Sequence, residues 1–237
     1  SYRCGDGSER AVGRVVEAIG CKQSAVSISN FKSQISNLLM AYDKFTVLRS
    51  TAVPMPIENV DTDQIIPARF LKATERKGFG DNLFRDWRYN SDDTPKKDFV
   101  LNNPIYSGKI LVGGKNFGSG SSREHAAWAI YDYGFRCVVS SFFADIFKGN
   151  SLNVGILPVT VSEGFLDKIF KAIEADPKTE IEVNLPDQTI TLPATGEQEK
   201  FDINGYKKHN LTNGYDDIDY LQAMKNDITA FAEKSLY

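Results

Sequence analysis

The sequence predicts one domain of mixed α and β structure, class α/β. Three observations carry that prediction: short apolar runs bounded by Gly, Pro or Ser, amphipathic stretches of helical spacing between them, and an apolar–polar alternation around Pro186-Asp187. With 237 residues, 41% of them apolar and 25% charged, the chain can bury one sizeable core. Periodicity alone goes no further than mixed α and β.

Taken in order, residues 1–39 read as an N-terminal extension outside the fold, because seven Ser and five basic residues surround only short apolar patches. A transit segment would be poorer in acids than a stretch holding Asp6, Glu9 and Glu17. The single folded domain then spans residues 40–237. Strands are expected at 45–48, 110–112, 137–140 and 157–161, each brief and apolar. Helices are expected at 122–133, closed by Gly134, at 142–148, closed by Gly149, and at 163–175, begun by Ser162 and stopped near Pro177. Residues 181–185 and 188–192 alternate around Pro186-Asp187 and predict an antiparallel hairpin with a two-residue turn. From Asp217 to Glu233, apolar residues at Ile218, Leu221, Met224, Ile228 and Phe231 predict a closing helix with one stripe on the core. Residues 72–98 are polar and predict a long surface loop.

Composition excludes several function classes. A net charge of -3 offers no footprint for nucleic acid or for an anionic membrane surface. No apolar run reaches the roughly 18 to 20 residues of a membrane-spanning helix. Cys4, Cys21 and Cys137 form no CxxC pair and fit a reducing, cytoplasmic setting. His125 and His209 form no HxxxH or HExxH pair, so no metal site is expected in this chain.

The chemistry is expected at residues 110–125. Ile110-Leu111-Val112 runs into a glycine-rich loop and then a helix, which presents backbone N–H groups and the positive end of a helix dipole to an anion. Arg123 adds a planar fork suited to a carboxylate, at a helix start where a cation otherwise opposes the dipole by up to about 1 kcal/mol. Gly113 and Gly118 have the spacing of a P-loop, but Ser119 stands at the lysine position. Arg123 replaces the third glycine of a dinucleotide fingerprint, and no Gly-x-Ser-x-Gly elbow surrounds Ser119 or Ser121. Ser121-Ser122-Arg123-Glu124 also reads as a capping box with Ser121 at the N-cap, and on spacing alone the cap and the anion site both stay open. Asp61 and Asp63 read as turn and cap residues rather than catalytic acids.

Gly118-Ser119-Gly120-Ser121-Ser122-Arg123-Glu124-His125-Ala126 resembles the GxGSSREHA signature of the aconitase swivelling domain. Asn59 to Pro67 resembles the family's N-x-x-T-D-x-I-x-P segment, and Arg76-Lys77-Gly78-Phe79-Gly80 resembles its isopropylmalate dehydratase branch. The likeness runs from Phe45 to the C-terminus. It implies a three-layer β/β/α swivelling domain serving as the free-standing small subunit of a two-chain hydro-lyase. That enzyme interconverts 2-isopropylmalate and 3-isopropylmalate through 2-isopropylmaleate, in leucine biosynthesis. The resemblance further implies a large partner subunit bearing a [4Fe-4S] cluster, with no cofactor in this chain. Carried over by position, Ser121 is the base that removes a proton from substrate carbon. Ser122 and Arg123 hold a substrate carboxylate, and Arg76 is the second substrate arginine.

The same residues also fit a related isomerase of homoaconitase or methylmalate dehydratase type, a non-catalytic anion-binding module, or a serine hydrolase pairing Ser121 with His125 or His209.

Overall fold

In a computed structural model of the chain, the described residues are 42–71 and 78–234. The extension 1–39 and Arg76 lie outside them. Seven strands form one sheet, β1 (Val47–Met55), β2 (Ile110–Gly113), β3 (Cys137–Ser140), β4 (Leu157–Thr160), β5 (Glu180–Asn184), β6 (Thr189–Leu192) and β7 (Glu197–Lys200), in the order β4-β3-β2-β1-β5-β6-β7. β1 is the strand common to both halves. Ala52–Met55 pair in parallel with β2, while Val47–Thr51 pair antiparallel with β5. The chain therefore has a parallel half, β1 to β4, and an antiparallel half, β1 with β5 to β7.

Alternation along the strands sends side chains to two cores. Ile110, Val112, Cys137 and Val139 meet Ile181, Val183 and Ile190 of the antiparallel half in one cluster. Leu111, Val138, Val53 and Met55 face the other cluster, which the helices cover. Those helices are α1 (Thr62–Ile65), α2 (Arg85–Arg88), α3 (Glu124–Tyr133) and α4 (Asp145–Asn153). The fold is the three-layer β/β/α arrangement, with α5 (Glu163–Ala175) filling the first core through Phe165, Leu166, Ile169 and Ile173.

Strong local signals place their elements as expected. Ser162 caps α5 by accepting from Phe165 N, and β2, β3 and β4 occupy their apolar runs. In the hairpin, Gln188 N donates to Leu185 O across Pro186-Asp187 (3.2 Å), and Gln188 takes the left-handed φ of 54° that follows the turn.

Elsewhere long-range contacts overrule local pattern. β1 runs to Met55 because it has partners on both sides, which its short apolar start at Phe45 did not signal. The helix expected at 142–148 instead spans Asp145–Asn153 with Gly149 in its interior. Phe142–Ala144 are held extended by Phe117 N donating to Phe142 O (3.1 Å) and Ala144 N donating to Phe117 O (3.2 Å). The polar stretch 72–98 is not merely a surface loop in its described part, since Leu83 and Phe84 are fully buried and Phe84 stacks on Trp87. The charged strand β7 and the polar helix α6 (Gly205–Asn213) had no apolar periodicity to announce them. The C-terminal helix breaks at Met224 into α7 (Asp217–Ala223) and α8 (Lys225–Lys234). Its stripe does not reach the core: Ile218, Leu221, Ile228 and Phe231 are 49–74% exposed.

Candidate active site

The loop from β2 to α3 is shaped by backbone that only glycine tolerates and by a clamp from residues 59–63. Gly118 and Gly120 have φ of 78° and 90°. A Cβ on Gly118 would fall 2.1 Å from the Phe147 ring, and one on Gly120 would fall 2.2 Å from Asp61 Oδ2. Both glycines are required by the protein's own packing.

Asp61 begins α1 and forms a complete capping box: its carboxylate accepts from Asp63 N, and the Gln64 side chain accepts from Asp61 N (2.8 Å). From this rigid turn three consecutive residues grip alternate residues of the loop. Asp61 bridges Ser119 in parallel fashion, and Thr62 N donates to Ser119 O (2.8 Å). The Thr62 hydroxyl donates to Ser121 O (2.9 Å). Asp63 forms an ion pair with the Arg123 guanidinium. The reading of Asp61 as a cap residue agrees with this geometry, whereas Asp63 reaches across to the loop.

The capping box expected at Ser121 is absent. Arg123, not Ser121, is the N-cap of α3, with extended φ and ψ of -93° and 107° and no side-chain cap bond. Ser121 O accepts from Thr62 and also from Arg123 N (2.8 Å), so the chain turns here and cannot enter the helix until Glu124. Glu124 Oε1 accepts from Trp128 Nε1 (3.1 Å).

Ser121 and Ser122 are thus exposed hydroxyls ahead of the helix, beside Arg123, whose side chain is 19% exposed. The amides of Gly118 and Ser119 donate to Val60 O (2.8 and 3.0 Å) and are satisfied within the protein. The anion expected to offset Arg123 is, in this structure, Asp63. The structure brings together three of the four expected site residues, Ser121, Ser122 and Arg123, and the fourth, Arg76, lies outside the described residues. Thr62 and Asp63 contact Ser121 and Arg123, a relationship that sequence reading missed. The Asp-Thr-Asp run was visible, but nothing local signalled that it faces residues some 60 positions later.

His125 packs its ring 4.5 Å from Trp128 and 5.5 Å from Phe79, centroid to centroid. His209 lies in α6 against Tyr215 and Tyr220. Among the described residues neither histidine hydrogen-bonds Ser121, so the serine–histidine pairing of a hydrolase is not formed. Nor do the described residues hold a group of three or more His, Cys, Asp or Glu that could bind a metal. Cys137 is enclosed in β3, where burial pushes its thiol far up and disfavours the thiolate a cluster requires. No described helix is long and apolar enough to cross a membrane.

The Aconitase C-terminal domain family matches residues 42–164, and the LeuD_N family matches residues 167–205. A 3-isopropylmalate dehydratase small subunit of Cytophaga hutchinsonii is 64% identical over 195 residues, covering 82% of this chain and 97% of that protein. The corresponding protein of Christiangramia forsetii is 59% identical over 192 residues, covering 81% and 94%. A solved 3-isopropylmalate dehydratase from Methanocaldococcus jannaschii, 25% identical, superposes with a TM-score of 0.59 over 78% of this chain and 98% of its own. With identity this high over four-fifths of its length, the chain belongs to the 3-isopropylmalate dehydratase small-subunit family.

Proposed function

We propose that this chain is the small subunit of a two-chain hydro-lyase that isomerises 2-isopropylmalate and 3-isopropylmalate by dehydration and rehydration, in the cytoplasm and in the service of leucine synthesis. The observation that carries the reading is the juxtaposition of two exposed serines, Ser121 and Ser122, with the mostly buried side chain of Arg123. Family membership supports the reaction and substrate.

In this reading Arg123 and the Ser122 hydroxyl hold a substrate carboxylate, with Arg76 as a second cationic contact. Ser121 Oγ takes the proton from the substrate carbon between the carbon that loses hydroxyl and the bound carboxylate. A serine hydroxyl ionises far above neutral pH, and each unit of downward shift needs about 1.4 kcal/mol. A helix N-terminus contributes about 0.3 to 1 kcal/mol and acts over its first turn only. Ser121 stands two residues before the N-cap of α3, so the dipole alone cannot make it a base. Dehydration on closure against a partner, with donors preorganised around the oxygen, must supply the remainder.

The [4Fe-4S] cluster that the family's chemistry requires does not fit the described residues of this chain, where Cys137 is sealed in a strand. It belongs on a large partner subunit, and the active site is completed where the two chains meet.

Reconstitution tests the proposal. The purified chain alone is expected to have no isomerase activity, and addition of a cluster-bearing large subunit is expected to produce interconversion of the two isopropylmalates. Replacement of Ser121 by Ala is expected to leave assembly intact and to abolish turnover. Isomerase activity in the chain alone, or full activity in the assembled Ser121→Ala pair, would overturn it.

A further inference from the structure

We infer that Thr62 and Asp63 are positioning residues of this site, with separate tasks: Thr62 sets the base Ser121 through its carbonyl, and Asp63 sets the carboxylate-binding Arg123 through its guanidinium. The inference rests on the roles proposed above for Ser121 and Arg123.

The geometry assigns one contact to each. Thr62 is 1% exposed and its hydroxyl donates to Ser121 O at 2.9 Å, although Ser121 itself is exposed. A buried donor on an exposed residue's carbonyl fixes the peptide plane from which the Ser121 side chain projects. The neighbouring Gly120, with φ of 90°, lets the backbone turn just before that plane, so the plane depends on the contacts that hold it. Asp63 pairs with Arg123 through Nη1. A guanidinium has five N–H donors in a rigid plane, so one nitrogen held by Asp63 orients the others for a planar carboxylate. Asp63 is itself held, because its amide donates to the Asp61 carboxylate (2.6 Å) within the capping box. A structural cap explains Asp61. It does not explain why the next two side chains point their polar atoms at the two residues bearing the proposed chemistry.

The two tasks predict opposite kinetic signatures. Loss of the Thr62 hydroxyl misplaces the base and lowers kcat, with KM little changed. Loss of the Asp63 charge frees the guanidinium and raises KM, with kcat little changed. One hydrogen bond lost in each case corresponds to about a tenfold effect. The variants are Thr62→Val with Thr62→Ser as rescue, and Asp63→Asn with Asp63→Glu as partial rescue, each assayed per assembled complex with the large subunit. Ser121→Ala is run beside them. A kcat loss in Thr62→Val restored by Thr62→Ser, with a KM increase in Asp63→Asn, supports the inference. Unchanged kinetics in both, or parallel losses in kcat and KM in both, overturns it and returns the pair to a purely structural role. If Ser121→Ala keeps full turnover, the reading of the site falls. If Ser121→Ala is dead and the split is absent, only the positioning roles fall. Asp63 is half exposed, so Asp63→Asn carries the test alone should Thr62→Val not fold.

Discussion

Gly120 lies against the carboxylate of Asp61 so closely that a Cβ would sit 2.2 Å from Oδ2, and its φ of 90° is one that L side chains rarely adopt. Gly134, which ends α3 with φ of 117°, has nothing within 4 Å of the same atom. The two glycines separate backbone strain from site geometry. Alanine at either is expected to cost about 1 to 2 kcal/mol of stability from the left-handed conformation. Only Gly120→Ala must also displace the Asp61 turn. We expect urea denaturation to register both variants, and turnover with the large subunit to drop at least tenfold in Gly120→Ala while Gly134→Ala keeps it.

Arg88 is a cation buried to 8% exposure and held by neutral acceptors: Gly80 O at 3.4 Å, Leu83 O at 3.3 Å and Asn102 Oδ1 at 3.3 Å, with its guanidinium 5.0 Å from the Tyr133 ring centroid. It ties residues 80–102 to the end of α3. Arg88→Met, of similar length, leaves those acceptors without their donor and is expected to destabilise by about 2 to 3 kcal/mol. Equilibrium unfolding checks this, and a loss below about 0.5 kcal/mol would show that the buried cation is not needed for stability.

The stripe on α7 and α8 is exposed, at 56% for Leu221 and 74% for Phe231. Residues on a core face cost several kcal/mol when truncated, whereas exposed ones change stability by about 0.5 kcal/mol or less. Leu221→Ser and Phe231→Ser are therefore expected to leave the unfolding free energy of the isolated chain nearly unchanged. A loss above about 2 kcal/mol in either would put the stripe back on the core.

Asp217 accepts from the Tyr206 hydroxyl (2.6 Å) and from Lys207 Nζ (3.0 Å), and the tyrosine bond first, then the lysine, hold its carboxyl below the ordinary range. A carboxylate whose folded pKa is depressed stabilises the fold above its unfolded pKa of about 3.9, and that contribution is lost as pH falls through the lower, folded value. The stability gap between the native chain and Asp217→Asn should accordingly be constant from about pH 5 to 7 and shrink below about pH 4. The carboxylate is 62% exposed, so the gap will be small and reduced by salt. A gap that widens on acidification contradicts the assignment.

Elements whose signals lie within a few residues were legible before folding: β2, β3 and β4 as apolar runs, α5 with its Ser162 cap, and the hairpin turning at Pro186-Asp187. The sequence also located the loop that carries Ser121, Ser122 and Arg123. Tertiary structure decided what those residues face. Ser121 lost the N-cap because Thr62 and Arg123 N occupy its carbonyl, and Arg123 found its counter-charge in Asp63, 60 residues earlier. The strand-like hold of Phe117 on Phe142–Ala144 delayed α4, and the end of the chain turned an apolar stripe outward that periodicity had assigned to the core. The reason is common to all of these. Helix and strand periodicity report preferences within one turn or one pleat, while a hydrogen bond or ion pair between distant segments outweighs such a preference and leaves no mark in either segment's spacing.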